Sequence, residues 1–172
     1  MSRGIRSGNE SAKDQGLALG HSASTHQFVG FRLGGEDYAI AITKIQEIIV
    51  MKPITRIPQV PGVIEGLINL RGSVIPIVNL RMLFALPPRA FDDETRTIIV
   101  NVGDRTIGYI VDEVTQVMRI GGDQIQPAPA SVSVLAKRYI AALARLDDRL
   151  LIILEIEAML NPDELPLASD AG

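Results

Sequence analysis

The sequence predicts a mostly β protein built from two copies of one small barrel-like unit. Short apolar segments alternate with polar residues at period two and are punctuated by glycine pairs and prolines. The order of these segments recurs in the second half of the chain. No helical pattern between them is long enough for the crossover that a doubly wound parallel sheet needs. A single β-sandwich is the second-ranked architecture.

The chain has 172 residues, which suits one domain or two small fused halves. Hydrophobic residues make up 47% and mean hydropathy is +0.22, ample for a core. No apolar run approaches the ~18 residues of a membrane helix. The run Leu150-Leu151-Ile152-Ile153-Leu154 is only of strand length. Two N-terminal arginines lack a following apolar stretch, so no signal peptide is expected. There is no cysteine, which excludes disulfides and thiolate metal sites and fits a reducing cytoplasm. A net charge of −3 and a pI near 5.4 argue against nucleic acid as the main partner.

Taken in order, residues 1–26 are rich in Ser, Gly, Asn, Gln and Ala without a period and predict a disordered tail. Order is expected from Gln27. Val29, Phe31 and Leu33 share a face, Gly34-Gly35 signals a hairpin, and Tyr38, Ile40 and Ile42 resume the alternation. Ile42, Ile45 and Ile48 then recur every three residues, which predicts a short helical turn capped by Thr43. Pro53, Pro58 and Pro61 predict a loop or a sheet edge, because proline lacks the ladder N–H. The stretch from Gly66 to Arg81 reads as two strands turning at Arg71-Gly72. Leu67, Asn69 and Arg71 face one way and Ile68 and Leu70 the other, while Val74 to Val78 reads as buried on both faces. Leu80 to Phe84 predicts a short helix stopped by Pro87-Pro88, and Arg89 to Glu94 a polar connector.

The second half repeats this plan. Thr97–Val102 and Thr106–Val111 are strands about Gly103-Asp104, and Asp112 occupies the place of Thr43 as a helix cap. Val111, Val114 and Val117 echo Ile42, Ile45 and Ile48. Leu150 to Leu154 and Ile156 to Met159 echo Val74 to Val78 and Leu80 to Leu83. The halves span about 27–88 and 95–161, with 162–172 a C-terminal tail. About five strands per unit suggest a small closed or half-closed barrel, since closure removes exposed edges. Small units bury little surface alone, so the two should share an apolar seam.

Reactive chemistry is scarce. The only histidines, His21 and His26, fall in the predicted tail, where no catalytic geometry can be held. No nucleophile elbow, phosphate loop or dinucleotide fingerprint is present. No metal and no cofactor are expected. Glu36 with Glu47, Asp112 with Glu113, and Asp147 with Asp148 could in principle act as carboxylate pairs. They carry the alternative reading, a small carboxylate-dependent hydrolase, but each has a simpler place as a hairpin, cap or turn residue. Surface remains. Ile45, Ile48 and Ile49, with Val114, Val117 and Met118, either belong wholly to the core or leave part of their turns exposed as a groove. Arg71 is either a solvated turn residue or a directed hydrogen-bonding anchor. Glu47, beside the apolar turn, is either a solvated helix residue or an ion-pair partner across an interface.

These residues carry a resemblance. F-R-L-G-G-E-D-Y-A-I-A-I at 31–42, I-Q-E-I at 45–48, G-L-I-N-L-R-G at 66–72, V-I-P-I-V-N-L-R at 74–81, Q-I-Q-P-A-P at 124–129 and L-I-I-L-E-I-E-A-M-L at 151–160 closely resemble the CheW family of chemotaxis coupling proteins. The resemblance covers residues 27–161. It implies two five-stranded SH3-like barrels packed together and a non-catalytic, cytoplasmic adaptor recruited to membrane receptor arrays. The implied partners are methyl-accepting chemotaxis receptors and the regulatory domain of the histidine kinase CheA. It further implies a receptor-facing groove of Ile45, Gly66, Arg71, Gly108, Val114 and Val117, with Glu47 in the kinase-facing region.

Overall fold

The computed structural model describes residues 24–58, 60, 62–131 and 138–159. Its strands are β1 (Thr25–Leu33), β2 (Glu36–Ala41), β3 (Ile45–Val50), β4 (Ile64–Leu70) and β5 (Ser73–Asn79), followed by helix α1 (Leu80–Leu83). Then come β6 (Arg96–Val102), β7 (Arg105–Val111), β8 (Glu113–Gly121), β9 (Ile125–Gln126), β10 (Ile140–Leu146), β11 (Arg149–Leu154) and helix α2 (Ile156–Met159). One sheet runs β8-β1-β2-β11-β10-β9 and the other β3-β6-β7-β5-β4. These are the two SH3-like barrels. The first sheet has six strands only because β9 continues β8 after a single 3-10 turn at Gly122–Gln124.

The barrels are not the two sequence halves. Barrel two is the contiguous run β3 to β7, while barrel one joins β1 and β2 to β8 through β11. The division at 27–88 and 95–161 is therefore corrected. The internal repeat survives as a reciprocal exchange. The β1–β2 hairpin of the first half pairs with β8 and β11 of the second, and β6–β7 pairs with β3 and β5 of the first. Even the registers correspond: Phe31 faces Val114 where Val100 faces Ile45, and Ile153 faces Ala39 where Ile77 faces Gly108.

Three apolar clusters follow from this exchange. Ala39, Leu151 and Ile153 help to fill barrel one, and Ile68, Ile75, Ile77 and Ile99 help to fill barrel two. The largest cluster lies between the barrels. Phe31, Leu33, Ile40, Leu154 and Ile156 come to it from one sheet and its following helix, and Val78, Ile98, Val100, Tyr109 and Val111 from the other. Alternate residues of one strand thus serve two cores: Ile98 faces the shared seam and Ile99 its own barrel. Each fully buried aliphatic side chain contributes about 1.5–3 kcal/mol. The expected seam between the units is present.

The apolar spacing of three residues has a different cause from the one expected. Ile42–Lys44 is a single 3-10 turn, and its N-cap, Ala41, makes no side-chain cap bond, so Thr43 is not the cap. Ile45 and Ile48 lie on strand β3, and Val114 and Val117 on strand β8. Each strand carries a bulge, at Gln46 and at Thr115, which adds one residue to the alternation. Ile45 and Ile48 therefore stay on one face although three residues apart. Asp112 caps no helix; it lies at the bend from β7 to β8. The first strand begins at Thr25, so His26 pairs with Ile120 in β1 instead of lying in the tail. Residues 1–23, including His21, and the C-terminal tail fall outside the described residues.

The Arg71-Gly72 hairpin forms as expected. Both residues have positive φ (53° and 89°), the twist a two-residue hairpin favours, and the Asn69 side chain accepts from Gly72 N at 2.9 Å. Val74 is exposed at the tip, so β5 is buried on both faces only from Ile75 onward. α1 is capped by the Asn79 side chain, which accepts from Arg81 N at 2.9 Å and Met82 N at 3.4 Å. The chain leaves this helix through Ala85 at φ 60° and then Pro87-Pro88.

Two glycines are close-approach positions of unequal kind. At Gly66 (φ 151°) an added Cβ would lie 2.2 Å from the backbone oxygen of Thr55, which forms an isolated bridge with Leu67. At Gly108 it would meet Ile77 Cδ1 at 2.6 Å and Thr97 Cγ2 at 2.8 Å, both side-chain ends that can rotate. Gly66→Ala should therefore lose about 3 kcal/mol in urea denaturation and Gly108→Ala about 1–2 kcal/mol; equal losses would contradict this ordering. The Tyr109 hydroxyl is buried without a hydrogen-bond partner among the described residues. Tyr109→Phe should leave the melting temperature unchanged or raise it.

Candidate functional site

The residues expected to form a partner surface divide into three groups. Gly66 and Gly108 are buried, with the adjoining space filled by Thr55 and by Ile77, Thr97 and Ile99. They shape the barrel by letting these neighbours approach the backbone closely. Ile45 and Val114 are half-buried and pack against the shared seam from the start of β3 and β8. Val117 is 55% exposed, and Ile48, its counterpart on β3, is 37% exposed. β3 and β8 are terminal strands of their sheets, so these two apolar side chains carry the seam-facing surface out to the edge of each barrel.

Arg71 and Glu47 come together. The Arg71 guanidinium donates from Nη2 to Glu47 Oε2, linking the β4–β5 turn to β3. These are the two terminal strands of the barrel-two sheet, so the ion pair spans the line along which that sheet closes. The Arg71 side chain is 67% exposed and that of Glu47 27%, so water screens the pair and its contribution to stability is under about 1 kcal/mol. Arg71 stands on its turn with most of its donors facing solvent. The two residues lie side by side where that sheet closes.

Sequence reasoning missed the polar centre of the molecule. Asp112 is the buried carboxylate among the described residues. Its carboxylate accepts from Arg81 Nε at 2.9 Å, Arg81 Nη2 at 3.1 Å and Gly34 N at 2.9 Å, and forms an ion pair with Arg89 Nη1 at 3.1 Å. Burial by itself would push the Asp112 carboxyl up. The hydrogen bonds from Arg81 and Gly34 and the nearby guanidinium charges outweigh burial and hold it below the usual carboxylate range. At the matching place in barrel one, Lys44 pairs with Glu157, with the charges reversed between bend and helix.

Of the carboxylates considered as catalytic pairs, Glu47 is engaged by Arg71, and Asp112 by two arginines and a backbone amide. No group of three or more His, Cys, Asp or Glu among the described residues is arranged to hold a metal. No described helix is long and apolar enough to cross a membrane.

Two interlocked SH3-like barrels, with exposed apolar edge strands and a projecting arginine, define a scaffold class of protein that works through contact. The CheW-like domain family matches residues 27–164. The chemotaxis protein CheW of Klebsiella aerogenes is 40% identical over 146 residues, covering 85% of this chain and 88% of the relative. That of Helicobacter pylori is 37% identical over 139 residues, covering 80% and 82%. The crystal structure of the scaffolding protein TtCheW from Thermoanaerobacter tengcongensis superposes with a TM-score of 0.76 at 33% identity, over 83% of this chain and 99% of that one. The chain belongs to the CheW family, a family of chemotaxis scaffolds and not of enzymes.

Because Asp112 has a lowered pKa when folded, its contribution is complete above the ordinary aspartate pKa and is lost as pH falls through the lowered value. The difference in unfolding free energy between wild type and Asp112→Asn should be constant near neutral pH and shrink on acidification. A difference that grows toward low pH would contradict the sign.

Proposed function

We propose that this chain couples methyl-accepting chemotaxis receptors to the histidine kinase CheA in bacterial chemotaxis, as a cytoplasmic adaptor recruited to membrane receptor arrays. The helical tip of a receptor lays apolar side chains against Val117, with Ile45 and Val114 beneath, and Arg71 orients it by directed hydrogen bonds. Gly66 and Gly108 act indirectly, by letting the strands that carry these residues pack closely. The patch at Glu47 faces the kinase's regulatory domain. Signal passes by contact geometry, without a chemical step.

The single observation that carries this reading is the placement of Arg71. It is mostly exposed, held by one solvent-screened partner, and mounted on a rigid two-residue turn. Arginines so presented are favoured anchors at interfaces, because the planar fork makes several bonds at once. The exposed Val117 on the barrel-one edge strand supplies the apolar complement.

Reconstitution of receptor, kinase and this chain tests the reading. Kinase activity under receptor control should require the chain. Arg71→Ala should weaken binding to a cytoplasmic receptor fragment by more than ~1 kcal/mol, about fivefold, while leaving the melting transition in place. Unchanged affinity in a titration would count against Arg71 as the anchor. Turnover in a broad esterase, phosphatase and glycosidase screen would instead favour the hydrolase reading.

A further inference from the structure

We infer that Asp112 is a clasp that sets the angle between the two barrels, and with it the spacing of the exposed edge strands β3 and β8. The chain passes from barrel two to barrel one at this residue, between β7 and β8. Its carboxylate holds three separate segments. Gly34 N comes from the β1–β2 turn of barrel one, Arg81 from α1 at the end of barrel two, and Arg89 from the connector between the sequence halves. Its own amide donates to Arg32 O at 3.1 Å, which joins the bend to β1.

The connector is drawn into the same knot. Arg81 donates to Pro87 O, and Leu86 N donates back to Arg81 O at 2.7 Å. Leu86 lies against the Gly34 turn, with its Cδ1 3.0 Å from the point a Cβ there would occupy. At the matching crossing, from β2 to β3, the charged link is Lys44 with Glu157 of α2, a pair about 40% exposed where Arg81 and Asp112 are nearly buried. Thr43 takes the place of Asp112, and its 3-10 turn has no side-chain cap bond. At Gly103, the counterpart of Gly34, nothing lies within 4 Å of an added Cβ. The Gly34 hairpin is tied to the crossing by a buried carboxylate, so directed bonds add to the apolar seam in the inter-barrel contact. A charged hydrogen bond has a preferred direction that greasy contact lacks, which suits Asp112 to fixing orientation.

The inference about barrel setting stands on geometry alone; its effect on receptor binding rests on the function proposed above. The chain contains no cysteine, so a pair introduced at exposed Asn101 on β6 and Arg119 on β8 can carry spin labels without other changes. The distance distribution between them, measured in the full chain, should be narrow with Asp112 present and broader or displaced in Asp112→Asn. Should that variant fail to fold, Arg89→Ala removes one arm of the clasp from the surface side and should still broaden the distribution. A folded Asp112→Asn, or failing that Arg89→Ala, with a distribution identical to wild type overturns the clasp. A receptor fragment should bind the broadened variant about fivefold more weakly. Broadening with unchanged receptor affinity would uphold the clasp and count instead against the receptor-facing role of the edge strands.

Discussion

The apolar layer between the barrels is the constraint on which the other features depend. Strands β6 and β7 are buried over most of their length because one face fills barrel two and the other meets barrel one. The barrels cannot separate without exposing Phe31, Leu33, Val100 and Tyr109 to water. The reciprocal hairpin exchange has the same effect on the backbone, since β2 finds its parallel neighbour in β11 and β5 in β7. The result is one cooperative body with a stiff middle. Its terminal strands, β3 and β8, are the places where seam-facing side chains run out of partners.

A scaffold benefits from this distribution of rigidity. Contact surfaces transmit orientation only if their supports do not yield, and here the supports are β-strands with cores on both sides. Bulges at Gln46 and Thr115 sit just where β3 and β8 leave the seam, and they re-aim the following residues. Charge is used sparingly. Most ion pairs lie at the surface, where they select orientation more than they stabilise, while Asp112 concentrates directed bonds at the crossing between barrels.

What the sequence revealed depended on how local each determinant was. The Arg71-Gly72 hairpin and the short helix begun at Leu80 were legible, because turn and cap chemistry is written in two or three adjacent residues. The strand–hairpin order was legible from period-two alternation. The bulges were not: one inserted residue turns a spacing of two into three, which mimics a helical stripe, and the partner strand that reveals the difference is about fifty residues away in β6 for Ile45. Hairpin exchange was also hidden, because either half could in principle close on itself and nothing in a strand names its neighbour. Arg71 was identified as a presented cation from its turn alone. Gly66 and Gly108 were marked through family resemblance, yet their role is to admit Thr55 and Ile77, and neither approach is visible along the chain. Asp112 was read as a cap because its partners Arg81 and Gly34 lie 31 and 78 positions away.

The enclosure of barrel two within barrel one has a consequence for synthesis. Every strand of barrel two lies between Ile45 and Val111, so that barrel has all its pieces once Val111 has left the ribosome. The β1–β2 hairpin is made earliest yet must wait for Leu154 before its sheet is complete. During that interval Phe28 and Ala39 have no barrel to enter, and long-range pairing of this kind is intrinsically slow. Barrel two can thus close first, and the hairpin of β1 and β2 then joins β8 to β11 against it.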